Sequence, residues 1–118
     1  MYKFTMDFNY GGGAKQNIGH IINKFGVPNT IVEIGVFEGG TTFWLSDELV
    51  KYNPNIKIYA VDPHVGSNDM SENPVFIHEN FVYNLSVNTN KNVEYIRKHS
   101  EDGLIDLINQ NVRPELIY

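Results

Sequence analysis

The stretch Ile31–Leu45, IVEIGVFEGGTTFWL, decides how this chain folds. With Thr30 before it, the run TIVEIGV is short, oily and β-branched, the pattern of a strand buried on both faces. One acid, Glu33, sits inside that run. Gly35, Gly39 and Gly40 then break the extended pattern. After them Leu45, Leu49 and Tyr52 return at helical spacing. A strand, a glycine turn and a helix in that order form the opening half of a βαβ unit.

The flanking sequence repeats the alternation. Upstream, Ile18, Ile21, Ile22 and Phe25 mark a helix over about Ala14 to Phe25, ended by Gly26 and Pro28. Downstream, YNPN closes the second helix and KIYAVD reads as a second buried strand. The loop PHVGSNDMSEN is polar. Pro74 opens a third helix with Ser71 to Asn73 as caps, and Ile77, Phe81 and Leu85 form its apolar stripe. Phe76 and Tyr83 also read as helix packing, and Asp69, Glu72 and Glu79 as a solvated acidic face. VEYIRKH alternates as a third strand. EDGLIDLINQN is a short helix with acids at its favourable N-terminal end, and ELIY begins a fourth strand. The order α-β-α-β-α-β-α-β predicts an α/β, Rossmann-like fold: a parallel sheet with helices on both faces and right-handed crossovers. Residues 1–118 form one domain in this reading. An oily parallel strand wants pairing and covering, so ELIY predicts an incomplete domain, the N-terminal part of a longer protein cut after Tyr118.

Composition narrows the function classes. The 118 residues are 42% hydrophobic, which suits a globular domain rather than a disordered one. The net charge of −5 is spread along the chain without a basic block, so no nucleic-acid partner is expected. No cysteine is present, which excludes disulfides and thiolate metal sites. The N-terminus lacks a signal-peptide stretch and no segment reaches spanning length, so a cytoplasmic location and no membrane partner are expected. The NLS triplet at Asn84–Ser86 is then a chance match to a glycosylation pattern. His20, His64, His78 and His99 show no i, i+4 pair, and no metal site is expected among them. Trp44, early in the second helix, reads as core.

The glycine turn carries the chemistry. Ligands of open α/β sheets bind beyond the carboxyl ends of the strands. Gly35 lets the chain leave the strand sharply, while Gly39 and Gly40 let a ligand approach the backbone. The helix start there favours a carboxylate or phosphate. The spacing departs from the dinucleotide fingerprint G-x-G-x-x-G, because Phe37 stands at its second glycine. A pyrophosphate loses its close backbone contact at that position. No Gly-Lys-Ser/Thr follows, so the turn is not a P-loop either. Asp62, at the end of the second strand, can accept hydrogen bonds from both hydroxyls of a ribose. Turn and acid together point to an adenosine-type ligand.

At these residues the chain resembles a known family. E-I-G-V-F-E-G-G-T followed by Y-A-V-D is similar to the first two motifs of the class I S-adenosylmethionine-dependent methyltransferases. Within them the likeness is to the small-molecule O-methyltransferases of the catechol and macrocin type and to the methyltransferase domain 24 group. It covers the chain from about Phe8 onward. The resemblance implies strand order 3-2-1-4 and S-adenosylmethionine as the cofactor. It assigns Glu33 to organising the glycine loop and the methionine end. Gly35, Val36, Phe37, Glu38, Gly39 and Gly40 become the loop under the cofactor, with Glu38 itself facing solvent or bracing the loop. Thr41 holds the methionine carboxylate and Asp62 the ribose. Pro63 and His64 lie at the adenine edge, which Ser100 and Glu101 read. Tyr10, in FNYGGG, falls where the N-terminal segment folds over the cofactor. The acceptor implied is a small molecule methylated on oxygen. In this family any metal ligand, the general base and most acceptor contacts begin after the fourth strand, so no catalytic residue carries over. Two other readings stand beside it: an NAD(P)-dependent oxidoreductase and a non-catalytic, cofactor-shaped module.

Overall fold

The structure is a computed structural model that describes residues 1–5, 10–66 and 73–118; Phe8, Asp69, Ser71 and Glu72 lie outside the described residues. Among the described residues four helices alternate with four strands: α1 (Ala14–Phe25), β1 (Thr30–Ile34), α2 (Gly40–Leu49), β2 (Lys57–Val61), α3 (Pro74–Val87), β3 (Val93–Ile96), α4 (Ser100–Asn109) and β4 (Leu116–Ile117). The sheet order is β3-β2-β1-β4, and every pairing is parallel. β1 and β2 run in register from Thr30 opposite Lys57 to Ile34 opposite Val61. The predicted α/β architecture and strand order 3-2-1-4 are therefore the observed ones.

Strand periodicity sorts the core into two faces. Ile31 and Ile58 pack with Ala14, Ile18, Leu45 and Leu49 beneath α1 and α2. Val32 and Val61 point the other way and meet Leu107 of α4. A third cluster of Val36, Phe43, Ala60 and Phe81 closes the carboxyl end of the strands. Burying one such Leu, Ile or Phe side chain contributes about 2 kcal/mol, so this two-faced packing dominates the sheet's stability.

Several sequence expectations are refined by the packing. α2 stops at Leu49, and Tyr52 lies exposed in the following turn rather than on the apolar stripe. Phe25 is also exposed, so α1 is anchored mainly through Ala14 and Ile18. On α3 the buried positions are Ile77, Phe81 and Asn84, while Phe76 and Tyr83, spaced i and i+7, project outward. Asn73 is the cap: its side chain accepts from the Val75 N–H at 2.9 Å, and Pro74 follows at the first helical position. β3 keeps only Val93–Ile96, because Lys98 N–H turns back to the Ile96 carbonyl and α4 begins at Ser100. Among the described residues no helix is long and apolar enough to cross a membrane.

Gly39 precedes α2 at φ +85°, in the left-handed region. A Cβ there would stand 2.2 Å from Cε2 of Phe43, itself fully buried. Gly39 thus makes room for the Phe43 ring. Gly39→Ala is expected to cost about 3 kcal/mol, combining left-handed strain with overpacking. Gly35→Ala, at φ +78° with no atom within 4 Å of the new Cβ, is expected to cost only about 1 kcal/mol. Urea denaturation of the two variants would check this; equal losses would contradict the packing role.

Candidate functional site

The site is assembled where β1 and β2 end. Gly35 N–H donates to the Val61 carbonyl at 2.9 Å, carrying the β1–β2 ladder one residue past the strands. Asp62 follows β2 directly, and its carboxylate gathers three backbone donors. Oδ2 accepts from the N–H groups of Val36 (2.8 Å) and Phe37 (3.2 Å), and Oδ1 from that of His64 (2.7 Å). The acid therefore ties the glycine turn of one βαβ half to the loop of the next. A cavity of about 220 Å³ opens at this junction, lined by Gly35, Phe37, Asp62, His64, Gly66, Pro74 and Ile77. Gly35 is exposed, and nothing fills the space in front of its Cα.

His64 is locked by both ring nitrogens. Nε2 lies 2.6 Å from the Phe37 carbonyl and Nδ1 2.5 Å from the Tyr95 hydroxyl. A carbonyl can only accept, so Nε2 carries the proton. In the neutral ring Nδ1 then accepts from Tyr95. Burial pushes the Tyr95 hydroxyl up to about 12, opposed by Arg97 and reinforced by Asp62, so it keeps the proton it donates. His64 has a left-handed backbone (φ +49°), as has Phe37 (φ +52°). The imidazole, expected at an adenine edge, lines the cavity wall while clamping the Phe37 peptide. The His78 ring lies tilted against it at 5.3 Å between centroids, and its basicity is lowered by burial, then by Arg97 and His64.

Two acids of the turn are buried in different directions. Glu33 is buried in β1, where its Oε2 pairs with the Thr42 hydroxyl of α2 at 2.6 Å. Desolvation raises its pKa to about 8, against the lowering effect of Thr42 and with a smaller rise from Asp62. It joins β1 to the start of α2 without lining the cavity. Glu38 is 0% exposed, so the solvent-facing alternative is wrong. It braces the loop: its carboxylate accepts from Thr5 and from Asn80 Nδ2. A buried carboxylate needs such donors, and they come from elements distant in sequence.

The other expected residues divide into groups. Val36 is buried and contributes its N–H to Asp62. Gly40 opens α2, and its carbonyl accepts from Gly11 N–H, which brings the N-terminal turn onto the helix start. Thr41 follows, half-buried, and Gly39 offers no side-chain cap to the first-turn N–H groups. Tyr10 stands apart from the cavity. Its hydroxyl donates to Asp47 of α2 at 2.6 Å, and burial followed by that bond raises its pKa. Pro63 lines a second, more open depression of about 520 Å³ with Val65, Arg97, Lys98, His99, Asp102, Ile105 and Asp106. Ser100 and Glu101 are exposed at the start of α4, between His99 and Asp102 of that depression. The segment from Asp62 to Gly66 thus separates two hollows, with alternate residues facing each.

Sequence reasoning missed Tyr95, Gly66, Pro74 and Ile77. Tyr95 was one residue of an alternating strand, and its sequence distance from His64 left no local signal. Gly66 and Pro74 were read as loop and helix punctuation only.

A scan against protein-family models and a comparison with curated proteins found no match.

Glu33 has a folded pKa above its unfolded one. Its contribution to stability is fully present below about 4.5 and is lost as pH rises through about 8. Stability should fall across that window with a slope approaching at most about 1.4 kcal/mol per pH unit. Glu33→Gln keeps a partner for Thr42 but does not titrate, so its slope should be lower by that amount. Denaturation midpoints at several pH values would check this; parallel profiles would rule out Glu33 as the source.

Proposed function

We propose that this chain is the cofactor platform of an S-adenosylmethionine-dependent methyltransferase that transfers its methyl group to an oxygen of a small molecule. The observation that carries this reading is the placement of Asp62 and Gly35 in one cavity beyond the carboxyl ends of β1 and β2. The residues present fit a sulfonium nucleoside. Asp62 Oδ1 accepts a single backbone N–H, and a carboxylate oxygen has a further lone pair for a ribose hydroxyl. The space before Gly35 is open. Thr41 and the uncapped first turn of α2 suit an anionic group such as the methionine carboxylate. The second depression, beside Pro63 and the start of α4, offers room for a base.

When bound, the cofactor supplies an activated methyl group on its sulfonium. The chain's own residues then have binding and orienting work. Asp62 accepts from the sugar, and it holds Val36 and Phe37 so that the turn keeps its shape. His64 fixes the Phe37 carbonyl. Much of the acceleration in such a transfer comes from proximity and orientation, which a rigid turn of this kind favours. The cavity, about 220 Å³, is smaller than a whole-ligand pocket of roughly 300–1,000 Å³, so it takes part of a ligand, with the second depression beside it. Phe37 on its wall also removes the bare backbone that a pyrophosphate uses.

Isothermal titration of the chain with S-adenosylmethionine and with NAD tests the reading. S-adenosylmethionine is expected to bind and NAD not to. Asp62→Asn should weaken the former by about tenfold to a hundredfold, the loss of a charge-assisted hydrogen bond, with a thermal melt confirming that the fold persists. Tight NAD binding, or an unchanged affinity in a folded Asp62→Asn variant, would overturn it.

A further inference from the structure

Residues 1–5 lie against α2 and α3, held by side chains that read their backbone. Asn84 of α3 accepts from Lys3 N–H at 2.6 Å and donates to the Lys3 carbonyl at 2.8 Å, as a paired strand would. Thr5 N–H donates to both oxygens of the Glu38 carboxylate, at 3.1 and 2.9 Å, and its hydroxyl donates to Oε2 at 3.0 Å. The Tyr2 ring stacks on Phe43 at 5.0 Å and 23°, and its hydroxyl donates to Asp47. The Lys3 ammonium sits 4.2 Å over the Tyr83 ring.

These contacts converge on the glycine turn from behind. Glu38 is the residue between Phe37, which lines the cavity, and Gly39, which is seated over Phe43. Asn84 Nδ2 also donates to the Glu38 carbonyl at 2.9 Å, so one side chain bridges residue 3 and the turn. Asn80 donates to Glu38 Oε1 at 2.8 Å. Removing Thr5 withdraws donors from a fully buried carboxylate, which is costly unless that carboxylate moves toward water. Any such movement pulls on Phe37, whose N–H is held by Asp62 and whose carbonyl is held by His64.

We propose that residues 1–5 form a strap coupled to the cofactor site: docking of the strap on Glu38 and Asn84 and binding of ligand in the Gly35–Asp62 cavity favour each other. This rests on the cofactor reading above for the identity of the ligand, but the coupling of strap to turn does not. Linkage makes the effect reciprocal. Ligand should hold the strap down, and the strap should raise ligand affinity.

The test compares the full chain, a chain lacking residues 1–5, and the full-chain variants Thr5→Pro and Thr5→Ser. Thr5→Pro removes the N–H and hydroxyl donors, whereas Thr5→Ser keeps both. S-adenosylmethionine affinity should fall about tenfold in the truncated chain and in Thr5→Pro, and stay unchanged in Thr5→Ser. A peptide of residues 1–5 added in excess should restore it to the truncated chain. Amide exchange gives a ligand-independent readout: Val36 and Phe37 should exchange faster without the strap, and Lys3 and Thr5 more slowly with S-adenosylmethionine present. If the truncated chain does not fold, Thr5→Pro decides the question. Equal affinities and equal exchange at Val36 and Phe37 in Thr5→Pro would overturn the proposal. If the full chain binds no S-adenosylmethionine, the cofactor reading fails, and exchange at Val36 and Phe37 still decides the strap.

Discussion

The carboxylate of Asp62 is the constraint on which the site depends. A turn that leaves a strand at Gly35 and enters a helix at Gly40 exposes backbone N–H groups that the sheet does not pair. Asp62 accepts two of them, from Val36 and Phe37, and adds that of His64 from its own loop. Charge-assisted bonds of this kind are roughly twice as strong as neutral ones. The acid therefore has two positions to fill at once: it shapes the turn through three donors and it lines the cavity. These two roles are compatible because a carboxylate has about four acceptor sites.

Around that centre the chain buries polar groups in pairs. Glu33 meets Thr42 under the turn, and Glu38 meets Thr5 and Asn80 behind it. His64 joins Tyr95 to the Phe37 carbonyl. Ser46, Asn88 and Asn90 form a similar knot with Asn92 between α2 and the residues after α3. Each link uses up a donor or acceptor that would be costly if left unmade in the interior. Together they connect the glycine turn to α2, α3, β3 and the N-terminal residues, so the turn is overdetermined from several sides.

The alternating elements and the three glycines were legible because hydrophobic periodicity and turn chemistry are local properties. Asp62 was legible for the same reason, by its place at the end of an apolar run. Glu38 was not. Its neighbours in sequence allow a loop acid near solvent as well as a loop brace, and donors brought to it by folding, Thr5 and Asn80 among them, make its burial tolerable. Gly39 was legible as a special position, but its packing was not, since the Phe43 ring occupies the space left by the missing side chain. Phe76 and Tyr83 were misjudged because an apolar stripe on α3 does not reveal how wide the buried face is.

By itself the sequence determined the order of elements, the parallel sheet and the place of the glycine turn between β1 and α2. These follow from side-chain spacing along the chain, which the backbone geometry of strands and helices converts directly into faces. The tertiary structure alone decided the partners of the buried acids, the locking of His64 by Tyr95, and the fastening of residues 1–5 to the back of the glycine turn. Such pairings join atoms far apart in the chain, and no local pattern encodes them. They are set by which donors the folded core brings within hydrogen-bond reach of a charge that cannot remain buried alone.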